Sequence, residues 1–260
     1  MKGRLSGRVA LISGGSRGIG LAIAHAYARE GAKLCVLATQ APALAHMAST
    51  LQMPESDLMT ASVDVRDADA CHDIVNKVMA RWGQLDVLVN NAGIYKARPF
   101  LEYEPHDFRD MLDVNLMGTV HLTQAALPHM LSRQSGRVIN IASSAGKAGS
   151  RNQSAYNVSK HAVVGLTRCL ALETATQGVT VNAICPGLTQ TDMVNTLNTS
   201  FASAAGVTAE QMLQTILTRV PMSRLLNVDE IAGMAVYLGS SESSGMTGQA
   251  LSIDGGMLTA

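Results

Sequence analysis

Short β-branched runs alternate with longer helical patterns along almost the whole chain, and no other feature limits its fold so tightly. The apolar and alternating runs predict strands at Val9–Ser13, Leu34–Ala38, Met59–Val65, Val87–Asn90, Arg137–Ala142, Thr180–Ile184 and Ala250–Ile253. Apolar residues at helical spacing predict helices over Gly18–Glu30, Pro42–Leu51, Ala68–Trp82, two within Pro105–Leu131, then Ala155–Thr176 and Val228–Leu238. Strands joined through helices are parallel, and right-handed crossovers cover the sheet on both faces. The expected fold is α/β: one doubly wound parallel sheet of about seven strands, in a single domain over residues 1–260. The stretch Leu188–Leu226 breaks the alternation. It is rich in Thr, Ser and Asn and has its own helical pattern near Ala209–Leu217. Ligands of open α/β sheets lie beyond the carboxyl ends of the strands, so residues 188–226, after the sixth strand, are expected to form a substrate lid.

Charge narrows the possible partners. Lys+Arg and Asp+Glu balance at 20 each, with no basic run, which argues against nucleic acid or an anionic membrane. Cys35, Cys71, Cys169 and Cys185 form no CxxC pair, and the seven His do not cluster with them in a metal pattern; reduced thiols and no metal are expected. The apolar run at the N-terminus is too short for a signal peptide, and no stretch has membrane-spanning length. The protein is expected to be soluble and cytoplasmic.

Directly after the first strand comes SGGSRGIG, Ser13 to Gly20, opening a helix. Glycine lets a backbone turn tightly and approach a pyrophosphate, whose charge the helix N-terminus stabilises. The motif therefore points to a Rossmann-type dinucleotide site built on Gly14, Ser16, Arg17, Gly18, Ile19 and Gly20. At the end of the second strand, where an acid would bind a ribose 2′-hydroxyl, stand Ala38, Thr39 and Gln40. A 2′-phosphate would not be repelled there, and Arg17 offers it a planar fork, although Arg17 also suits a solvated loop. This favours NADP(H), with NAD(H) as the alternative.

In SAYNVSKHAVVGL, Tyr156 and Lys160 are four residues apart on a helix with Ser154 as its expected N-cap, so phenol and ammonium share one face. A free phenol, with a pKa of about 10, is a poor base at neutral pH. A neighbouring ammonium is expected to lower it into the range of a proton-transfer catalyst.

SGGSRGIG, NNAG at Asn90–Gly93, Asn115 in DVNLMG, Ser143 in INIASS, YNVSK at Tyr156–Lys160, PG at Pro186–Gly187 and IDGG at Ile253–Gly256 occur in one order along the chain. In that order they resemble the short-chain dehydrogenase/reductase family over nearly its whole length. The resemblance implies hydride transfer between a nicotinamide and a ketone or secondary alcohol. It makes Tyr156 the acid/base, Lys160 the group that lowers its pKa and holds the nicotinamide ribose, Ser143 a donor to the reacting oxygen, and Asn115 the holder of a water linking Lys160 to solvent. It maps Asp64 and Val65 to the adenine, Asn90, Ala92 and Gly93 to the adenosine ribose, and Pro186, Gly187, Leu188, Thr189 and Thr191 to the nicotinamide end. A homotetramer is implied as well. Read alone, Ser143 also suits a strand-end turn, Asn115 a helix kink and Lys160 a snorkelling surface charge.

The substrate is less legible. Part of the chain resembles 3-hydroxybutyrate dehydrogenases, but the anion-binding Gln, His and Lys of that group are replaced by Tyr95, Ala145 and Gln153. It also resembles 3-oxoacyl carrier-protein reductases. The nearest positions to their carrier-docking arginines are Gln134 and Leu172, with Arg133 and Arg168 close by. The C-terminal stretch resembles polyketide ketoreductases and general alcohol dehydrogenases. An uncharged, fairly apolar ketone is the expected substrate, touching Tyr95, Ala145, Gln153 and Met193. A 3-oxoacyl thioester is the alternative, ahead of a 3-hydroxy acid, a sugar or a nicotinamide-sensing role. Met193, Met212, Met222 and Met257 suit either an adaptable pocket or simple packing.

Overall fold

The computed structural model describes residues 3–259; residues 1, 2 and 260 of the expected domain lie outside the described residues. Seven strands form one parallel sheet in the order β3-β2-β1-β4-β5-β6-β7: β1 Val9–Ser13, β2 Lys33–Ala38, β3 Leu58–Ser62, β4 Val87–Asn90, β5 Gly136–Ile141, β6 Val179–Pro186 and β7 Ala250–Ile253. The helices are α1 Gly18–Arg29, α2 Ala41–Leu51, α3 Ala68–Trp82, α4 Pro105–Leu112, α5 Gly118–Ser132, α6 Ser154–Thr174, α7 Asp192–Ala205, α8 Ala209–Leu217 and α9 Val228–Gly239. Central strands are buried on both faces, as a parallel sheet requires. On one face Ile23 and Tyr27 of α1, Met47 of α2 and Ile231 and Ala235 of α9 pack on Ile12, Val36 and Ile139. On the other, Ile74 and Val78 of α3 and Leu122 and Met130 of α5 pack on Leu11, Leu88 and Val138.

The topology places the site. From β3 at one edge the chain returns to β4 beside β1, so its direction of winding reverses between β1 and β4. Loops leaving the carboxyl ends of those two strands diverge to opposite sides and leave a crevice.

Three expectations need correction. β3 ends at Ser62 and does not reach Val65, because Asp64 turns back to accept from the Arg66 backbone N–H at 3.0 Å. Ser154 is the first residue of α6; Gln153 caps it, without a side-chain hydrogen bond. Residues 188–226 hold two helices where one was expected. The missed one, α7, is capped by Thr191, whose hydroxyl accepts from Val194 N–H, and it ends at Gly206 in a left-handed conformation. α8 follows with a Thr208–Gln211 capping box.

Candidate active site

At the exit of β1 the chain turns through Gly14 (φ +62°), where a Cβ would lie 2.9 Å from the Ala92 Cα. The turn is tied to the end of β4. Asn91 Nδ2 donates to the carbonyls of Ser13 (3.0 Å) and Gly14 (2.9 Å), and Ser13 Oγ accepts from the N–H groups of Asn91 and Ala92. Sequence reasoning assigned the neighbouring Asn90 to the site. Successive strand side chains face opposite ways, and Asn90 is instead buried, donating to Thr123 Oγ1 at 3.0 Å and Asn140 Oδ1 at 2.9 Å. The asparagine given a site role by the resemblance is thus placed in the core, while Asn91, part of the same NNAG motif but given no role, holds the turn.

A cleft of about 1400 Å³ opens over the carboxyl ends of the strands. Its wall takes Gly14, Ser16, Arg17, Gly18 and Ile19 from the first turn, Ala38 and Thr39 after β2, and Asp64 and Val65 after β3. It continues through Ala92, Gly93 and Tyr95, then Ser143 and Ala145, then Gln153, Tyr156 and Lys160, and finally Pro186, Gly187, Leu188, Thr189, Thr191 and Met193. Gly20, Asn90 and Asn115 do not line it; Gly20 backs onto Gly14 and Asn91 from behind. Met212 and Met257 join the wall, whereas Met222 is exposed outside it. Arg66, Arg151 and Arg219 also line the cleft and carried no sequence signal.

At the end formed by β2 and β3, Arg66 Nε donates to both oxygens of Asp64, at 3.0 and 2.9 Å. The guanidinium holds this carboxyl below its usual range. Arg17 is exposed at the glycine turn.

At the other end, α6 places Tyr156 and Lys160 one turn apart. Burial pushes the Tyr156 phenol up from its ordinary value, and a hydrogen bond with Ser143 opposes that rise. Lys160, only 4% exposed, donates to the Ile141 carbonyl at 2.9 Å, with Nζ 5.8 Å from the Tyr156 ring centre. Burial lowers its ammonium to about 8. The expected lowering of the phenol by the ammonium is therefore not what governs this site: desolvation acts on both groups and outweighs their adjacency. Ser143 is a strand-end residue whose Oγ accepts from Ala145 N–H at 3.1 Å, and it also partners Tyr156.

Asn115 lies in a π-helical turn, Asp113–Met117, between α4 and α5. Its Oδ1 accepts from Ile94 N–H at 2.8 Å, and its Nδ2 donates to the Ile94 carbonyl and to Ser159 Oγ. It clamps the loop after β4 to α6. A Cβ on Gly93 would meet Asn115 Oδ1 at 3.2 Å and Lys160 Nζ at 3.6 Å, so glycine there admits both groups. Tyr95, on the clamped loop, meets Tyr156 edge to face with ring centres 4.9 Å apart. Its hydroxyl is sealed from solvent without a hydrogen-bond partner among the described residues, and burial raises its pKa.

Among the described residues, no group of three or more His, Cys, Asp and Glu side chains could hold a metal. None of the helices there is long and apolar enough to cross a membrane.

The model of the family described as short chain dehydrogenase matches residues 8–201. An uncharacterized oxidoreductase, YxjF of Bacillus subtilis, is 40% identical over 250 residues, covering 96% of this chain and 97% of its own. The 3-oxoacyl-(acyl-carrier-protein) reductase FabG of Thermotoga maritima is 33% identical, covering 98% of this chain and 99% of its own. A crystal structure of actinorhodin polyketide ketoreductase with NADPH is 36% identical with a TM-score of 0.93, covering 99% of both chains. Levodione reductase is 32% identical with a TM-score of 0.92, covering 97% of this chain and 98% of its own. With the family model and these relatives spanning the chain, it belongs to the short-chain dehydrogenase family.

Proposed function

We propose that this oxidoreductase is an NADP(H)-dependent carbonyl reductase, catalysing reversible hydride transfer between the nicotinamide and a ketone or secondary alcohol. The observation that carries the reading is one cleft with the glycine turn at one end and Tyr156, Ser143 and Lys160 at the other. The residues fit the cofactor. Gly14 leaves its backbone open where a side chain would clash, at the N-terminus of α1. Ala38 and Thr39 offer no acid against a 2′-phosphate, the Asp64 carboxylate is paired with Arg66, and Arg17 is at hand. The relative solved with NADPH agrees with this choice.

In this reading Arg17 pairs with the 2′-phosphate, Asp64 and Val65 border the adenine, and Ala92 and Gly93 border its ribose. Pro186 to Thr189 and Thr191 hold the nicotinamide end. The cofactor, when bound, supplies the hydride. Tyr156 Oη gives the proton to the carbonyl oxygen and takes it back in the oxidative direction. Ser143 Oγ donates to the same oxygen as charge develops. Lys160 stabilises the phenolate left behind and binds the nicotinamide ribose. Asn115 fixes the wall opposite and positions the water through which Lys160 exchanges protons.

The ketone lies against Tyr95, Ala145, Gln153 and Met193, all uncharged, beneath residues 188–226 acting as a lid. A second reading, reduction of 3-oxoacyl thioesters, is favoured by the similarity to FabG. Docking of a carrier protein through Arg133 is disfavoured, since Asp86 engages that guanidinium at 3.2 Å. The protein is further proposed to be a cytoplasmic homotetramer associating through α5 and α6, where Val158 and Leu172 stand exposed; sedimentation of the purified protein checks its mass.

The test is consumption of NADPH and NADH, in parallel, with neutral ketones and 3-oxoacyl thioesters. The reading expects turnover with NADPH preferred. Binding of NADPH without turnover of any carbonyl would overturn it in favour of a sensor.

A further inference from the structure

The charges of the cleft are not evenly accounted for. Asp64 and Arg66 hold each other, Asp110 lies near Arg66, and Lys160 is buried on the Ile141 carbonyl. Asp192 occupies the first turn of α7, where the helix N-terminus stabilises a carboxylate. Apart from Arg17, assigned above to the 2′-phosphate of the cofactor, two guanidiniums remain. Arg151, in the loop before α6, and Arg219, just past α8, both line the cleft and are exposed. Outside the cleft Arg4, Arg98, Arg133 and Arg224 are each ion-paired. Neither Arg151 nor Arg219 forms a side-chain hydrogen bond or ion pair among the described residues. The wall that α7 and α8 add to the cleft is mostly apolar, with Leu197, Phe201, Met212 and Ile216 beside Thr196 and Thr215, and Met257 beyond.

A mostly apolar wall with unpaired guanidiniums at its borders suits an amphiphile. We propose that Arg151 and Arg219 form an anion-accepting rim, selecting ketones whose tail, remote from the reacting carbonyl, carries a phosphate or carboxylate. The inference rests on the carbonyl-reductase reading and deepens it: the reacting end of the substrate is neutral and its far end is not. A guanidinium suits either anion through paired N–H donors. At an exposed rim the contribution is steered by long-range attraction and weakened by salt.

The experiment compares acetoacetyl-CoA, the neutral acetoacetyl-N-acetylcysteamine thioester, and a long-chain (ω−1)-oxo carboxylic acid, a methyl ketone, beside its methyl ester. Each is reduced with NADPH by the wild type, Arg151→Gln, Arg219→Gln and the double variant. Anionic substrates are expected to be preferred over their neutral partners. The ratio of kcat/KM, anionic over neutral, should fall about tenfold or more in the double variant, mostly through KM, and should shrink with added salt. A fall for the CoA thioester alone identifies phosphate as the anion, and a fall for the oxo acid alone identifies carboxylate; either supports the rim. An unchanged ratio, or equal losses on neutral and anionic substrates, overturns it. Calorimetric binding of acetoacetyl-CoA to the NADP+ complex of Tyr156→Phe separates the rim from the chemistry. Binding that weakens on adding the two Arg→Gln changes supports the rim even if turnover fails, and binding indifferent to them refutes it.

Discussion

Lys160 carries a charge in a place that disfavours charge. Its ammonium, ordinarily near 10.5, titrates near 8 when buried. Between those values the unfolded chain binds more protons than the folded one, so this residue's contribution to stability rises as pH rises from 8 to 10.5. Below 8 the full cost, roughly 3 kcal/mol, is carried. Lys160→Met should therefore raise the melting temperature by several degrees at pH 7, at about 2–4 °C per kcal/mol for a chain of this size. Thermal denaturation should show the gain shrinking towards pH 10. Function should move the other way: kcat/KM for ketone reduction is expected to be flat below pH 8 and to fall above it, as the phenolate loses its cationic neighbour. Lys160→Arg should move that break upward if the residue retains activity. At the opposite end of the cleft, Ala38→Asp should shift the NADH/NADPH preference about tenfold towards NADH, by repelling a 2′-phosphate and accepting from a 2′-hydroxyl. Parallel Kd measurements by cofactor fluorescence check it. Both sites could be read in part from the sequence. The i, i+4 pairing of Tyr156 with Lys160 was visible because helix geometry is local. The competing desolvation was not, because it depends on how distant parts of the chain close around the two groups, as β5 does where its Ile141 carbonyl meets Lys160.

Elements bring these residues together, and here local signals diverged in value. The alternating strand and helix patterns predicted β1, β4 and α3 closely, because capping and apolar period are written in contiguous residues. The end of β3 was misplaced because an edge strand gives up pairing where a local side chain, Asp64, offers the backbone an alternative. α7 was missed because its Thr, Ser and Asn content reads as loop, while its cap at Thr191 needs Val194 folded back onto it. As the proposed lid, α7 and α8 should become protected on ligand binding. Hydrogen exchange of residues 188–226 is expected to slow when NADPH and a ketone analogue are both bound, more than in β1 or β5. Equal protection throughout would mean that the segment is fixed wall and does not close.

For the whole molecule, the decisive fact is the reversal of winding between β1 and β4. It sets the glycine turn against the exit of β4 and leaves the ends of β5 and β6 to complete the cleft. The class of fold was legible because parallel crossovers have few solutions. The choice of Asn91 over Asn90 was not, since a strand's facing is settled only when its sheet neighbours are known. The unpaired arginines at the cleft's border escaped for the same reason: pairing is a property of the assembled chain.

The most direct measurement compares Tyr156→Phe with the wild type in a single turnover of NADPH and ketone, alongside NADPH affinity by fluorescence. Removal of the hydroxyl that transfers the proton is expected to lower the reduction rate by about 10³-fold or more, with affinity for NADPH changed by no more than a few-fold. A variant that binds NADPH and reduces ketone within tenfold of the wild-type rate would contradict the assignment of Tyr156 and the mechanism built on it.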